Sequence, residues 1–386
     1  MKILHFADTH IDAVQSGRWD PDTGLPVRTM DFLKSLDTII DTAIGEEVDI
    51  VLMAGDVYKD RNPTPRHQEA FASRILRLEK AEIQTFLLVG NHDMGASSTA
   101  HALTEFITWQ PNFIQVVGDI YLHKSEAFDM VCLPWVHKSK LVIGEVIQQL
   151  EELIENMDPT TPNIFLGHCS VVGAQFSSER LVMLGEDLML PIKLLTESGF
   201  DYVALGHIHK VQDLNKGHYP PVVYPGSIER VDWGEAGEEK GFVIHEINKG
   251  GEKKQWNFHI LETRPMIDLV VKLQDKESFY SELRQVAKDH IEDSPDAMIR
   301  IKLQYPENWA GLINNQIIEL MFPDAFSVQI LHDPIREGRA RLDLPQEVAA
   351  YSPGELLGMW MDQKGIEDQE ALQDLAVGLI GGSDGL

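Results

Sequence analysis

The chain has 386 residues, of which 43% are hydrophobic and 24% charged, enough apolar mass for a large globular domain and one or two smaller units. Its 61 acidic against 33 basic residues leave a net charge of −28, which argues against a surface that grips nucleic acid along its whole extent. Cys132 and Cys169 build no disulfide framework and fit a reducing cytoplasm, no apolar stretch reaches the roughly 18–20 residues that cross a bilayer, and the short apolar run of MKILHFADTH predicts no signal peptide.

Five hydrophobic runs, each ending beside metal-ligand-type residues, set the pattern. KILHFA leads to Asp8 and His10, VDIVLMAG to Asp56, IQTFLLVG to Asn91 and His92, NIFLG to His168, and FDYVALG to His207 and His209. Between the first two runs, Phe32, Leu33, Leu36, Ile39, Ile40, Ala43 and Ile44 recur at helical spacing, and Phe71, Ile75, Leu76 and Leu78 do so between the second and third. Strand–helix alternation predicts an α/β domain. IQVVGDIYLH, DMVCLPW, VVYPGS, GFVIHEI and KQWNFHIL read as strands with few helices between them. A second sheet is therefore expected on the first, giving a two-sheet β-sandwich flanked by helices over residues 1–262.

A boundary is predicted at Thr263-Arg264-Pro265. IDLVVKL, a helix around Ser278–His290, AMIRIKL, a helix around Trp309–Met321 and FSVQIL then form a small α/β cap over residues 263–344. In the helical segment 345–386, Leu356, Leu357, Trp360 and Met361 make one apolar stripe, Gly365 interrupts it, and Leu372, Leu375, Ala376, Leu379 and Ile380 make another. One base, Lys364, stands there against eight acids. Two short amphipathic helices either fold back on the body or dock a partner.

Ligands of open α/β sheets bind at the carboxyl ends of strands, where all five groups are expected. Asp8 and His10 lie two apart and share a direction in extended chain. Asp56 can bridge two cations with its two oxygens, Asn91 offers a neutral oxygen, and His207 and His209 can each serve one of two neighbouring ions. Nitrogen and oxygen donors without thiolate suit Mn, Fe or Zn better than a structural zinc site. Cys169 adjoins His168 but points the other way along the strand. Two cations about 3.5–4 Å apart would provide a shared hydroxide as nucleophile and stabilise phosphoryl oxygens, adding about +4 of local charge. Each motif alone is weak evidence, because a histidine at a strand end is more often a structural hydrogen-bonder. Five in order outweigh that objection.

Asp8-Thr9-His10, Gly55-Asp56, Gly90-Asn91-His92-Asp93, Gly167-His168 and Gly206-His207-Ile208-His209 resemble the five signatures of calcineurin-like metallophosphoesterases, over roughly residues 1–245. The resemblance implies Asp8, His10, Asp56 and His209 on one ion, with Asp56, Asn91, His168 and His207 on the other. It implies that His92 is no ligand but protonates the leaving oxygen or stabilises transition-state charge. Asp93 would orient the His92 ring, or else cap the following helix.

Arg61-Asn62-Pro63-Thr64-Pro65 and the block from Tyr224 to Gly234 resemble the break-repair nuclease branch, the bacterial exonuclease subunit SbcD with its archaeal and eukaryotic relatives. That block is either a plain turn or a loop beside the metal site. The branch implies Mn²⁺, DNA as substrate, 3′→5′ exonuclease and endonuclease activity in DNA repair and recombination, a homodimer, a DNA-facing cap, and an SbcC-type coiled-coil ATPase docked on residues 345–386. Tyr58 stands two places after Asp56 and Lys59 three, whereas purple-acid-type phosphatases carry tyrosine at the third place, so a redox iron site is not expected. Some repair nucleases carry histidine there; Lys59 either meets a phosphate or is solvated.

From Lys59 to Lys80, six bases (Lys59, Arg61, Arg66, Arg74, Arg77, Lys80) face three acids (Asp60, Glu69, Glu79). The whole segment is the candidate track for a DNA backbone, with Lys59, Arg61 and Arg66 the candidate DNA contacts, unless it is a plain exposed helix face. Self-association through helices near 67–80 and 95–108 would use Ala102, Leu103, Phe106 and Ile107, which could equally be core. A small-molecule phosphodiesterase and a catalytically silent scaffold for the ATPase are the competing functions.

Overall fold

Runs rich in Val, Ile, Leu and Phe that lie between two layers are buried on both faces, and these runs are. The computed structural model describes residues 1–13, 17–95, 102–103, 106, 109–137, 141–177, 188–249, 255–335 and 353–364. In a first sheet, β1 (Lys2–Phe6), β2 (Ile50–Met53), β3 (Gln84–Leu88) and β4 (Ile114–Val117) run parallel. Helices α1 (Val27–Gly45) and α2 (Pro65–Lys80) connect the first three, and β13 (Gly241–Glu246) and β14 (Asn257–Ile260) extend the sheet antiparallel beyond β1. The spatial order is β14-β13-β1-β2-β3-β4.

The second sheet has the order β11-β12-β10-β7-β6-β5. Its parallel centre is β6 (Asp129–Leu133), β7 (Asn163–His168), β10 (Tyr202–Gly206) and β12 (Val222–Tyr224), with antiparallel β5 (Tyr121–Lys124) and β11 (Gln212–Asp213) at the edges. A short parallel ribbon pairs β8 (Ser170–Val171) with β9 (Met189–Leu190).

Side-chain alternation divides the apolar residues into three layers. Ile3, Ile50, Leu52, Phe86 and Leu88 of the first sheet meet Met130, Ile164, Leu166, Tyr202 and Ala204 of the second. The opposite faces carry Leu4, Phe6, Val51 and Met53 against α1 and α2, and Val131, Phe165, Val203 and Leu205 against the helices Ile143–Glu155 and Ile192–Thr196. Burying each large side chain contributes about 1.5–3 kcal/mol. The result is the expected helix–sheet–sheet–helix sandwich. Thr64 caps α2 by accepting from His67 N at 3.4 Å, with Pro65 at the first helical position, so the end of the Arg61–Pro65 motif is a helix start.

Ala102, Leu103 and Phe106 are buried in the α1/α2 layer, and the Phe106 ring meets Phe71 edge-on at 5.8 Å. They fill the core, which overturns their use in self-association; Ile107 lies outside the described residues.

The chain divides into a unit of Met1–Asp268 with Asp296–Met298, and a unit of Leu269–Pro295 with Ile299–Leu386. A three-stranded sheet has the order β15 (Met266–Lys272), β16 (Met298–Pro306), β17 (Ser327–Ile335). β16 buries Ile299, Ile301, Leu303 and Tyr305, every second residue, and the helix Phe279–Asp289 buries Phe279, Leu283 and Ala287 at helical spacing. The helix expected over Trp309–Met321 is instead a 3-10 segment, Glu307–Leu312, and a short α-helix, Asn315–Glu319. Asn314 is extended and accepts from Gln316 N at 3.0 Å, and this cap starts the chain afresh. Near the end, helix Pro353–Lys364 buries Met361, with Leu356 and Leu357 half-buried; the stripe from Leu372 to Ile380 lies outside the described residues. Among the described residues no helix is long and apolar enough to cross a membrane.

Candidate metal centre

Strands β1, β2 and β3 of one sheet and β7 and β10 of the other release their chains at the same edge of the sandwich. Directly after them Asp8 (φ 52°), His10 (φ 38°), Asp56 (φ 56°) and His207 (φ 97°) take left-handed backbone, which costs each non-glycine residue on the order of 1–3 kcal/mol. Strand-end hydrogen bonds hold the first two loops together: Asp8 N donates to Gly55 O at 3.0 Å and His10 N to Asp56 O at 3.2 Å. Two of the glycines here allow close approaches. A Cβ on Gly90 would stand 2.2 Å from Asp56 Oδ1, and one on Gly206 would stand 1.9 Å from Ala54 O, where the two sheets meet.

The predicted ligands converge. On one side His10 Nε2 and His209 Nε2 face each other at 3.0 Å, and His10 Nε2 lies 3.6 Å from Asp56 Oδ2. On the other, His168 Nε2 lies 3.5 Å from Asp56 Oδ1 and 2.9 Å from Asn91 Oδ1, which is also 3.0 Å from His207 Nδ1. Asp8 accepts from His207 N at 3.1 Å with both oxygens. Ligand atoms of Asp8, His10 and His209, and of Asp8, Asp56 and His168, lie within 4.8 Å of one another, all on buried residues.

Charge balance at these groups tests whether cations fit. His168 Nδ1 is 2.7 Å from Ala54 O, which can only accept, so Nδ1 carries the proton and Nε2 presents a lone pair to two oxygens. Lone pair against lone pair is repulsive unless a proton or a cation lies between. Burial disfavours the charged imidazole, but the Asp56 carboxylate outweighs it and carries His168 up to about 9. Burial likewise pushes Asp8 up to about 7, opposed in part by His209 and His168. Asp56 is itself pushed up by burial, yet the His168, His92 and His10 rings hold it well below the carboxylate range. Burial keeps His10 well below the usual imidazole value, and its Nδ1 has no hydrogen-bond partner among the described residues. A divalent cation in place of the His168 proton satisfies the same oxygens, and the nitrogen and oxygen donors suit first-row metals.

Beside the ligands, His92 N donates to Asp56 Oδ1 at 2.8 Å, its Nδ1 lies 2.9 Å from Lys59 O, and its Nε2 lies 3.5 Å from Lys59 Nζ. Asp93 does not orient that ring. Its Oδ1 accepts from Val57 N and Tyr58 N at 2.9 and 3.1 Å and its Oδ2 from Gly90 N at 3.0 Å, so the carboxylate ties the β2 and β3 loops together. The start of the helix foreseen for it to cap lies outside the described residues. Tyr58 is buried against Phe71, away from any ligand role. Cys169 turns into the apolar layer outside the second sheet.

Lys59 and Arg61 are exposed, and Arg66 donates to Gly24 O at 2.9 Å. Arg74 and Arg77 pair with Asp37, 3.1 and 3.2 Å, and Arg77 also with Asp41, so these two bases join α2 to α1 rather than extend a DNA track. The Pro-Gly-Ser block lies against His209: Ser227 N donates to His209 O at 3.2 Å, and a Cβ on Gly226 (φ 78°) would stand 2.5 Å from that oxygen.

Three neighbours of the centre escape sequence reasoning. Trp135 lies over His207 with ring centroids 5.1 Å apart, Asp12 accepts from Lys59 N and Asp60 N, and Glu235 accepts from His209 Nδ1 at 2.6 Å. Trp135 follows a strand as the ligands do, and Asp12 continues the alternation of Asp8 and His10; those signals were present. Glu235, in the acid-rich run WGEAGEE, reads as a surface charge.

A calcineurin-like phosphoesterase profile matches residues 1–211. The chain is similar to the DNA double-strand break repair protein Mre11 of Methanosarcina acetivorans, 24% identical over 356 residues that cover 90% of this chain and 52% of that one. It is also similar to the SbcD subunit of nuclease SbcCD from Bacillus subtilis, 27% identical over 290 residues covering 69% and 71%. The chain spans about half the length of the first curated relatives it matches. Among solved structures, a dimetal phosphatase from Danio rerio aligns with 63% of this chain and 91% of its own at 12% identity, TM-score 0.41.

Proposed function

The chain belongs to the calcineurin-like phosphoesterase family, and from that premise we propose that it is a DNA nuclease using two divalent cations, Mn²⁺ by preference. The supporting observation is Asp56, which turns one oxygen toward His10 at 3.6 Å and the other toward His168 at 3.5 Å, as a residue shared by two ions would. Asp8, His10, Asp56 and His209 would hold one ion, and Asp56, Asn91, His168 and His207 the other. When bound, the ions would supply Lewis-acid stabilisation of phosphoryl oxygens and an activated water.

The chain's own groups do the rest. Lys59 O accepts the Nδ1 proton of His92 and so turns Nε2 outward; the ring serves the leaving oxygen when it carries a second proton, on Nε2, and returns to the neutral imidazole on giving it up. Lys59 Nζ adds positive charge 3.5 Å from Nε2, where a phosphate would arrive. Asp93 serves this step only by fixing the loops that carry Asp56 and Asn91.

DNA as substrate, with 3′→5′ exonuclease and endonuclease action in break repair and recombination, is supported by the names of the relatives. One relative is by name a subunit of a nuclease, which supports an SbcC-type ATPase as partner; that partner would dock on residues 345–386, and residues 263–344 would form a DNA-facing cap. A homodimer would have to use surfaces other than Ala102, Leu103 and Phe106. The net charge of −28 favours a small-molecule phosphodiesterase as the second reading.

Wild-type and Asp56→Ala protein should be assayed with Mn²⁺ on linear and hairpin DNA, bis-p-nitrophenyl phosphate and cyclic nucleotides. DNA cleavage lost in Asp56→Ala supports the proposal. Turnover of cyclic nucleotides with DNA left intact refutes it, and equal DNA cleavage by both proteins reduces the chain to a scaffold.

A further inference from the structure

We infer that Glu235 is a positioning residue that fixes the His209 ring in the orientation and tautomer a cation ligand needs. The inference rests on the reading that His209 holds a cation.

Glu235 closes a single 3-10 turn, Trp233–Glu235, which Asp232 caps by accepting from Gly234 N at 2.7 Å. Its side chain is fully buried, and a buried carboxylate is tolerated only when its oxygens are met. Oε2 accepts from Ser227 Oγ and Val231 N, both at 3.1 Å, and lies 2.7 Å from the equally buried Lys240 Nζ. Those three donors satisfy the loop and the ion pair. Oε1 faces away from them and meets His209 Nδ1 at 2.6 Å.

A carboxylate can only accept, so the proton must sit on Nδ1 and the lone pair on Nε2. Nε2 is the atom that faces His10 Nε2 at 3.0 Å, inside the group formed with Asp8. The backbone of His209 is held from the same side: its carbonyl accepts from Lys240 Nζ at 3.0 Å and Ser227 N at 3.2 Å. The ring is thus held by Glu235, and the main chain by Lys240 and by the backbone amide of Ser227, which an alanine there would keep. By contrast, His168 and His92 turn their Nδ1 to the backbone carbonyls of Ala54 and Lys59. A carboxylate behind the imidazole also raises its basicity, a pattern whose loss typically costs 10–100-fold in metal affinity.

Glu235→Gln is the informative variant. Ser227 Oγ, Val231 N and Lys240 Nζ all donate, so the glutamine oxygen must turn to them and its amide must turn to His209. Nδ1 then becomes the acceptor and the proton moves to Nε2, the wrong tautomer for a ligand. In metal-free protein labelled with ¹⁵N-histidine, with His209 assigned by the loss of its signals in His209→Asn, wild type should show the Nδ1-protonated form and Glu235→Gln the Nε2-protonated form. Mn²⁺ affinity by calorimetry should fall about 10–100-fold.

Because Glu235→Gln leaves the buried Lys240 with Glu238 as its one carboxylate partner, the pair Glu235→Gln with Lys240→Met should give the same two results if the single variant unfolds. Ser227→Ala loosens the same loop but leaves Oε1 in place, and should change neither tautomer nor affinity. The inference is overturned if Glu235→Gln keeps the wild-type tautomer and binds Mn²⁺ within twofold of wild type, or if Ser227→Ala loses as much affinity. Wild-type protein that binds no Mn²⁺ would fail the cation reading itself and take this inference with it.

Discussion

Gly90→Ala tests whether the centre depends on how closely the ends of β2 and β3 approach. Gly90 needs no left-handed backbone, so alanine changes contact alone. Its Cβ would lie 2.2 Å from Asp56 Oδ1 and 2.3 Å from Asp56 N, where ordinary contact begins at 3.4 Å. The carboxylate could swing away, but the amide belongs to the main chain, so the loop must retreat by about 1 Å. His92 N is bonded to the same Oδ1 at 2.8 Å and would move with it. A displacement of about 1 Å at a reacting centre costs on the order of 10²-fold in rate, and overpacking costs about 1–3 kcal/mol in stability. Turnover of bis-p-nitrophenyl phosphate with Mn²⁺, beside urea denaturation, measures both. Gly144→Ala, with nothing among the described residues within 4 Å of its Cβ, is the control and should leave the rate unchanged. A Gly90→Ala enzyme with kcat within threefold of wild type would show that the two loops separate without disturbing the centre.

Cation affinity should rise with pH, because binding must displace the His168 proton held up to about 9 and the Asp8 proton held up to about 7. Two protons are released below pH 7 and one between 7 and 9, which gives roughly 100-fold and then tenfold per pH unit, levelling above 9. Calorimetry showing a flat affinity from pH 6 to 9 would contradict this. Arg61→Ala with Arg66→Ala should make the slope of log K for DNA against log salt shallower by about 1–2, and an unchanged slope removes both from the interface. Arg28→Met leaves the buried Glu229 carboxylate, now 3.1 Å from Arg28, without its cation. It should cost about 3–5 kcal/mol of stability by urea denaturation; a loss below about 1 kcal/mol would show that Arg230 or water takes over.

The convergence of the candidate ligands was legible because each follows a hydrophobic run by a short step, and strand ends of one sandwich converge whatever the loops do. Asp93 misled because sequence adjacency to His92 suggested contact. Residues 91–93 form a turn, which sends successive side chains in different directions, and three backbone amides claim the carboxylate. Arg74 and Arg77 looked like a track because their partners, Asp37 and Asp41, lie on another helix. Ala102, Leu103 and Phe106 form an apolar pattern that a core and an interface produce alike. Glu235 could not be picked from its acidic neighbours, since burial is a tertiary property and composition carries no trace of it.

Asp8, His10, Asp56 and Asn91 hang from one sheet, whereas His168, His207 and His209 hang from the other. Cations seated among them would rivet the two layers at that rim, worth about 4 kcal/mol when the ion stands at a thousand times its Kd. Chains made under metal starvation are then expected to offer a protease an unfastened seam there, and a chelator to raise their turnover without touching the far end of the sandwich.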